Sequence, residues 1–498
     1  MSDAVVVAGG GPTGLMLACE LALAGVRTIV LERQQEPNAR SRGMAIHGRT
    51  LEAFAARGLR ERVRDEDSFI WPRTPFALMW LDLTTVDDRD HTVAYPQWRT
   101  ERILAERAAE LGVEIRRAHE VIGVSQEPSQ VAVEVRSADG DYQLTGAYLV
   151  GCDGARSVVR RLAGIGFGDG TISHHGLFAD VAPTDGLHDS FAAGLHPTGM
   201  AAAMPIEPGT LRLMAIELDT EPPADAPDPT PEELADMIGR ITGSRPALAQ
   251  ARWTCRFGGR TRLADRYQDG RILLAGDAAH ELFISGTQGL NAGIQDAMNL
   301  GWKLAATVHG WAPAGLLDTY DKERHAIGRR ICMHARATEA LVHDSATRVG
   351  PLRDLFAEFL RFEEANRHLL RIPTTSDLPR PEGSHPLAGT RIPDFPLMDP
   401  AGPVSLAEAL RSGRGLLVEV GPGRAAEPHL DGLAGWAGRV DHGRAETVPG
   451  LAVTGPGTGV LLIRPDGHVA FADETGTDTA SLRSALASWF GAPAPVPT

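Results

Sequence analysis

Cysteine is scarce in this chain. Four occur in 498 residues, Cys19, Cys152, Cys255 and Cys332, and no two stand in C-x-x-C spacing. That excludes a dithiol redox centre and a cysteine zinc site, and it predicts reduced thiols serving as small core residues in a cytoplasmic setting. Basic residues are outnumbered, with 49 Lys and Arg against 64 Asp and Glu for a net charge of −15. Such a balance excludes non-specific nucleic-acid binding and a polybasic membrane anchor. No uninterrupted apolar run reaches the roughly 18 residues that suggest a membrane span. The first strand begins almost at residue 1, which leaves no room for a basic export segment. Internal repeats are lacking as well. The expectation is a globular chain of two or three domains with a large core.

What is present starts at residue 4. Val5, Val6 and Val7 read as a buried parallel strand. Gly9, Gly11 and Gly14 follow in G-x-G-x-x-G spacing, residues 15–24 are apolar enough for a packed helix, and residues 28–31 form a second strand ending at Glu32. Gly9 permits the tight turn, Gly11 lets a pyrophosphate approach the backbone, and Gly14 lets helix and strand pack closely. The helix N-terminus offers free N–H groups and a positive dipole end. Glu32, 18 residues past Gly14, stands where a carboxylate accepts hydrogen bonds from a ribose. Strand, turn, helix, strand and acid in this order predict a dinucleotide site.

Arg40, Arg42 and Arg49 cluster after the second strand. Arg40 and Arg42 are expected near the pyrophosphate, and Arg49 on a solvated helix face. A helix over 100–111 and strands at 113–116 and 131–135 continue the αβ pattern. Residues 149–154 are a strand running into Asp153-Gly154, which alone is an ordinary turn. From about residue 171 the pattern turns antiparallel, with strands at 177–181, 201–204 and 210–218 and a capped helix after Thr230. Met200, Met204 and Met214 on these strands suit a large apolar ligand but serve more often as core filler. Residues 271–275 are again a buried strand, running into Gly276 and Asp277. A carboxylate at such a strand end lies where open α/β sheets bind ligands. His280 reads as a structural hydrogen-bonding residue. Gly286, Gly289 and Gly293 precede a long helix expected from Ile294, and present N–H groups to an electron-rich ligand. A proline-rich linker then leads to a small α/β unit with a strand at 415–420, a hairpin at 460–471 and a helix at 479–490. The glycine-rich residues 455–459 read as a loop. No second dinucleotide motif follows, since 164–170 has the wrong spacing.

Three elements stand together: GGGPTG with Glu32, GCDGARS at 151–157 and RILLAGDAAH at 271–280. In this order they resemble the FAD-dependent class A aromatic hydroxylases, the para-hydroxybenzoate hydroxylase-like family. The match is closer to the polyketide and rifampicin monooxygenase branch, and it extends over PQWRTE, TQGLNAGIQDAMNLGWKLA and RPDGHVA. The resemblance implies an α/β fold: a Rossmann-like FAD-binding domain (1–170 and 266–372), an inserted antiparallel-sheet substrate domain (171–265), a linker (373–400) and a C-terminal thioredoxin-like domain (401–498). The last lacks redox cysteines and is expected to be structural. Carried over, Gly9, Gly11, Pro12, Thr13 and Gly14 would hold the FAD pyrophosphate, and Glu32, with Arg33 beside it, the adenosine ribose. Arg42 would lie near the pyrophosphate and ribityl chain, Gln97 beside the flavin and Val121 near the adenine. Asp153 would serve both FAD and the reductant. Gly276 and Asp277 would meet the ribityl and pyrophosphate region, and Gly286, Gly289, Leu290 and Asn291 the flavin ring. No metal and no catalytic side chain is implied.

The implied reaction uses NADPH or NADH to reduce the flavin and O₂ to form a C4a-hydroperoxide, which hydroxylates a bulky aromatic or polyketide-like natural product. The protein supplies orientation and water exclusion, as monomer or homodimer. The chain departs from the family after His280, where Ile284 replaces a proline and Thr287 a glycine. Both changes alter loop shape. They motivate a second reading, a non-redox cyclase that keeps the flavin as scaffold. A drug-sequestering protein would make the FAD site superfluous, and a disulfide reductase would need paired cysteines.

Overall fold

The computed structural model describes residues 4–495, except 38–41, 78, 85–90, 169–173, 183–191, 219, 221–226, 249–250, 259, 283–287, 344–345, 375–376, 381, 400–401, 422–433 and 454–458. Its organising sheet has six strands in the spatial order Gln268–Asp269, Ile272–Leu274, Tyr148–Gly151, Val5–Ala8, Thr28–Glu32 and Glu114–Arg117. All neighbours are parallel except the first pair. The chain's first strand is therefore central, and every residue of Val5–Ala8 is at most 2% exposed. That explains its unbroken valine run, because a parallel strand is covered on both faces. One face meets the helices Pro12–Leu23 and Gln288–Val308. The other merges with a three-stranded meander through Val131, Val133 and Val135, all fully buried.

The strand order has a functional consequence. Ala8 pairs with Gly151 and Gly151 with Leu274, so three strands far apart in sequence end level with one another. The backbone ladder continues past their ends, with Cys152 N–H donating to Ala8 O and Ala275 N–H to Gly151 O. The three motifs thus leave the sheet on one edge.

The antiparallel unit is a five-stranded sheet ordered Ala192–His196, Gly199–Glu207, Thr210–Leu218, His174–Val181 and Ala251–Gly258. Alternate residues serve two layers. Leu177, Leu211, Leu213 and Ala215 pack on the helix Pro231–Thr242 through Leu234, Met237 and Ile241. Phe178, Met200, Met204, Met214 and Phe257 turn the other way, into a cluster with Trp71, Phe76, Leu341 and Val342. The helix starts as its residues dictate: Thr230 and Glu233 form a reciprocal capping box, Pro231 is first, and Gly243 closes it at φ +77°.

The C-terminal sheet runs Val440–Ala445, Gly415–Val420, Gly459–Ile463, Val469–Asp473, with the helix Thr479–Phe490 packed on it. Its hairpin turn docks on the long helices. Arg464 grips Glu323 with both terminal nitrogens, at 2.8 and 3.0 Å, and Asp466 accepts from Asn299 and Trp302. Arg57, paired bidentately with Glu20, adds bonds to Pro465 O and Leu410 O. The RPDGHVA stretch is therefore an anchor between units, more than a solvent hairpin.

The sequence-based reading differs at several elements. The long helix begins at Gln288, not Ile294. Gln97 is the first residue of the helix Gln97–Glu110, where a helix from residue 100 is expected. The expected linker already contains a strand, Pro396–Asp399, paired with Gly402–Ser405. Most of the glycine-rich 455–459 stretch lies outside the described residues.

Candidate cofactor site

The first loop is shaped by backbone contact. Gly9 sits at φ +108°, and a Cβ there would meet Cys152 O at 2.3 Å. A Cβ on Gly14 would stand 2.0 Å from Gly9 O, so the helix rests directly on the turn. Gly11 is different: nothing lies within 4 Å of its Cβ position. It is the N-cap of the helix Pro12–Leu23, and no side chain caps that end. An uncapped N-terminus with open space above it fits an anionic group.

Glu32 closes one side. Its Oε2 accepts from Gly10 N–H at 2.7 Å and its Oε1 from Gln34 N–H at 2.8 Å. Each carboxylate oxygen retains a lone pair for a hydroxyl. Arg33, next to it, is exposed, and Val121 is buried at the start of the strand Glu120–Gln126.

The second motif adds Asp153. Its Oδ2 caps the helix Val158–Leu162, accepting from Val158 and Val159 N–H at 2.7 and 3.1 Å. Its Oδ1 is buried and meets no partner among the described residues. A buried carboxylate oxygen without a donor is costly unless a ligand supplies one. Cys152 beside it is no nucleophile, since burial and then Asp153 push its thiol well up. Cys19 and Cys332 are likewise pushed to about 12 by burial. All four cysteines are free, and Cys19, Cys255 and Cys332 are buried.

The third motif brings Gly276, at φ +64°, and Asp277. A Cβ on Gly276 would meet Thr13 Oγ1 at 2.5 Å, and one on Gly293 the same atom at 2.2 Å. Thr13, on the first helix, is thus wedged between this loop and the long helix. Gly293, expected to present its N–H, is instead a helical packing residue. Asp277 is open to a recess yet surrounded by protein. Desolvation raises its carboxyl, opposed by His280 and Arg42. Gly289, in the first turn of the long helix, has its Cβ position 3.4 Å from Asp277 Oδ1.

Gln97 ties the remaining pieces together. Its Oε1 accepts from Gly43 N–H at 3.0 Å, and its amide donates to Glu101 at 2.7 Å. Burial pushes Glu101 up to about 7 despite that bond. Leu290 lies 3.3 Å from the Cβ position of Gly43. Asn291 uses its side chain structurally: Oδ1 accepts from His47 N–H at 2.8 Å and Thr50 Oγ1 at 2.6 Å. Arg49 is not on a solvated face; its side chain is 15% exposed and bonded to Glu52. Arg40, Ile284, Gly286 and Thr287 lie outside the described residues.

Two positioning groups escape sequence reasoning. Asp296 accepts from Gly276 N–H at 3.0 Å and His280 Nε2 at 2.8 Å through one oxygen, and from Arg324 Nε at 2.6 Å through the other. Burial works against its charge, but Arg324 and His280 hold the carboxyl below its ordinary range. His280 thereby has the structural role its sequence context suggests. In the second, Arg212 pairs bidentately with Asp180 and donates to Arg42 O at 2.9 Å, tying the antiparallel sheet to the Arg42 segment. Neither carries a motif, because each is assembled from residues distant in sequence. Among the described residues no cluster of metal-ligating side chains occurs, and no helix is long and apolar enough to cross a membrane.

A cradle on three strand ends beside an antiparallel sheet defines a flavoprotein class, and the comparisons agree. Residues 2–335 match the family model of the FAD binding domain, and residues 385–493 that of the aromatic-ring hydroxylase C-terminal domain. The chain belongs to the FAD-dependent aromatic-ring hydroxylases and is an enzyme of that monooxygenase class. It is 42% identical over 507 residues to the 12-dehydrotetracycline 5-monooxygenase/anhydrotetracycline 6-monooxygenase of Streptomyces rimosus, covering 98% of this chain and 99% of that one. The solved anhydrotetracycline hydroxylase from Streptomyces rimosus superposes with a TM-score of 0.88 at 40% identity, over 99% of each chain. A Diels-Alderase of pyrroindomycin biosynthesis superposes with a TM-score of 0.84 at 42% identity, over 99% of this chain and 100% of that one.

Proposed function

We propose that this chain is an NAD(P)H-using monooxygenase that hydroxylates a bulky aromatic or polyketide-like molecule. The observation that carries the reading is the alignment of three motif-bearing strand ends around one open, uncapped helix N-terminus. The tetracycline monooxygenase relative supports the substrate class.

In this reading Gly9, Gly11, Pro12, Thr13 and Gly14 hold the pyrophosphate of FAD, and Glu32 its ribose. Asp153 serves both FAD and the reductant, and Asp277 meets the ribityl and pyrophosphate region. Gln97, Gly289, Leu290 and the backbone of Asn291 border the flavin, Arg42 and Gly276 lie by the ribityl chain and pyrophosphate, and Val121 and Arg33 flank the adenosine. FAD, once reduced, supplies the activation of O₂. The protein's own residues orient and enclose. Asp296 and Arg324 fix the Gly276–Asp277 turn, and Arg212 couples the Arg42 segment to the sheet that faces the substrate. The cluster of Phe76, Phe178, Met204 and Met214 excludes water beside the reacting centre. The unpaired cysteines support a reducing, cytoplasmic compartment.

The second reading, a non-redox cyclase on the same scaffold, is favoured by the similarity to a Diels-Alderase. One experiment separates them. Purified holo-protein is mixed with NADPH and candidate polyketides, and product mass is followed. A gain of one oxygen atom with NADPH consumption supports the monooxygenase. Conversion without change in mass and without NADPH supports the cyclase.

A further inference from the structure

One polar pair lies buried where the long helix meets the apolar cluster. Gln288 opens the helix Gln288–Val308, one residue before the Gly289 that lies against Asp277. Its side-chain amide stands 3.1 Å from Nδ1 of His334, on the helix Asp318–His343. The two residues are only 5% and 6% exposed. The His334 ring is 5.1 Å from that of Phe76, a member of the cluster that includes Phe178, Met204 and Met214. Neither Gln288 Oε1 nor His334 Nε2 meets a partner among the described residues.

Two unmet polar atoms on one buried pair are unusual in a protein interior. Burial, and then Arg330, push His334 down to about 4, so the imidazole is neutral. With the amide nitrogen donating to Nδ1, the ring proton is on Nε2. The pair then offers His334 Nε2–H and the second amide N–H as donors, and Gln288 Oε1 as acceptor. Turning the amide over exchanges the roles: Nδ1–H donates to Oε1, Nε2 accepts, and the amide nitrogen is the spare donor. Either arrangement leaves at least one donor and one acceptor in a dry, aromatic setting. A hydroxyl, or a hydroxyl beside a ring ketone, complements both at once.

We propose that Gln288 and His334 form a recognition pair that reads a phenolic or enolic hydroxyl on an aromatic ligand lodged against the Phe76 cluster. The proposal deepens the monooxygenase reading and rests on it for the ligand class. A site built to bond a hydroxyl rejects the analogue lacking it, because its polar groups are then left unpaired.

The test uses the FAD-loaded full chain and two probes, 1,8-dihydroxyanthraquinone and anthraquinone, titrated by perturbation of the flavin spectrum. Wild type should bind the hydroxylated probe at least ~10-fold tighter. The double variant Gln288→Met with His334→Phe should bring the two affinities together, with FAD content unchanged. It should melt at or above the wild-type temperature, because it removes unpaired buried groups. A wild type that does not discriminate, or a double variant that keeps the preference, overturns the proposal. If the double variant fails to load FAD, each single variant is read by the same ratio, and an unchanged ratio in both overturns it. NADPH oxidation is followed in parallel. A hydroxyl preference without NADPH consumption upholds the pair and removes the monooxygenase reading. NADPH consumption stimulated equally by both probes removes the pair and leaves that reading standing.

Discussion

At Glu32, a single carboxylate holds the glycine loop proposed to bind the cofactor, through Gly10 N–H at 2.7 Å. Glu32→Ala should weaken FAD binding by roughly 1.5–3 kcal/mol, since hydrogen bonds to a charged group are lost. Fluorescence titration of the apo-protein with FAD checks this, and an unchanged dissociation constant removes Glu32 from the site. Gly11 makes a sharper test, because its Cβ position touches nothing in the protein. Gly11→Val should leave the fold and melting temperature of the apo-protein nearly unchanged and yet abolish FAD retention. A valine variant that purifies with a full complement of FAD contradicts the assignment. The geometry of this loop was legible in the sequence because motif glycines and an acid at fixed offsets express local backbone conformation. Asp296 and Arg324 were not legible. Their partners lie 16 to 28 residues away on other elements, and nothing local marks the pairing. Arg49 misled for the opposite reason: a charged side chain on a helix reads as solvated until tertiary packing covers it.

Among the elements, the long helix shows most clearly how packing overrides propensity. Its first two turns carry Gly289 and Gly293, which disfavour helix in isolation, so a start at Ile294 is the natural expectation. The fold needs those glycines inside the helix. Gly293 admits Thr13 and Gly301 admits Glu20, whose Cβ stands 2.3 Å from the position a glycine substitution would fill. Gly293→Ala should therefore destabilise the protein by about 1–3 kcal/mol through overpacking, although alanine is the better helix former. Chemical denaturation checks it. Trimming the wedge, as Thr13→Ala in the same background, should recover part of the loss, and a double variant showing simple additivity would place the clash elsewhere. The strand ends were easier to foresee than the helix start. A short apolar run followed by a glycine turn is a local signal, whereas the adjacency of three such strands is a pairing between residues more than a hundred positions apart.

Over the whole molecule, the C-terminal unit is bound to the flavin domain by a buried charged cluster. Arg464 holds Glu323 ionised, down to about 2 despite burial, which works against the charge. Lys303, which shares that carboxylate at 2.7 Å, is moved the other way, to about 7, by burial and then by Arg464. The guanidinium is thus the dominant partner. A depressed carboxyl contributes stability above its unfolded value and loses it as pH falls toward the folded one. The protein should lose stability on acidification between about pH 4.5 and 2, and Glu323→Gln should flatten that part of the profile. Equal acid sensitivity in the variant would assign the transition to other groups. Arg464→Met leaves Glu323 and Asp466 without their guanidinium and should cost about 3–5 kcal/mol.

The proposed chemistry of this scaffold is oxygen transfer, through its FAD, to an aromatic polyketide-like substrate. The most direct measurement is product mass after turnover under ¹⁸O₂ with holo-protein, NADPH and the converted polyketide. The account predicts one ¹⁸O atom per product molecule and NADPH oxidation that accelerates when substrate is added. A product of unchanged mass, formed equally well without NADPH or O₂, would contradict it.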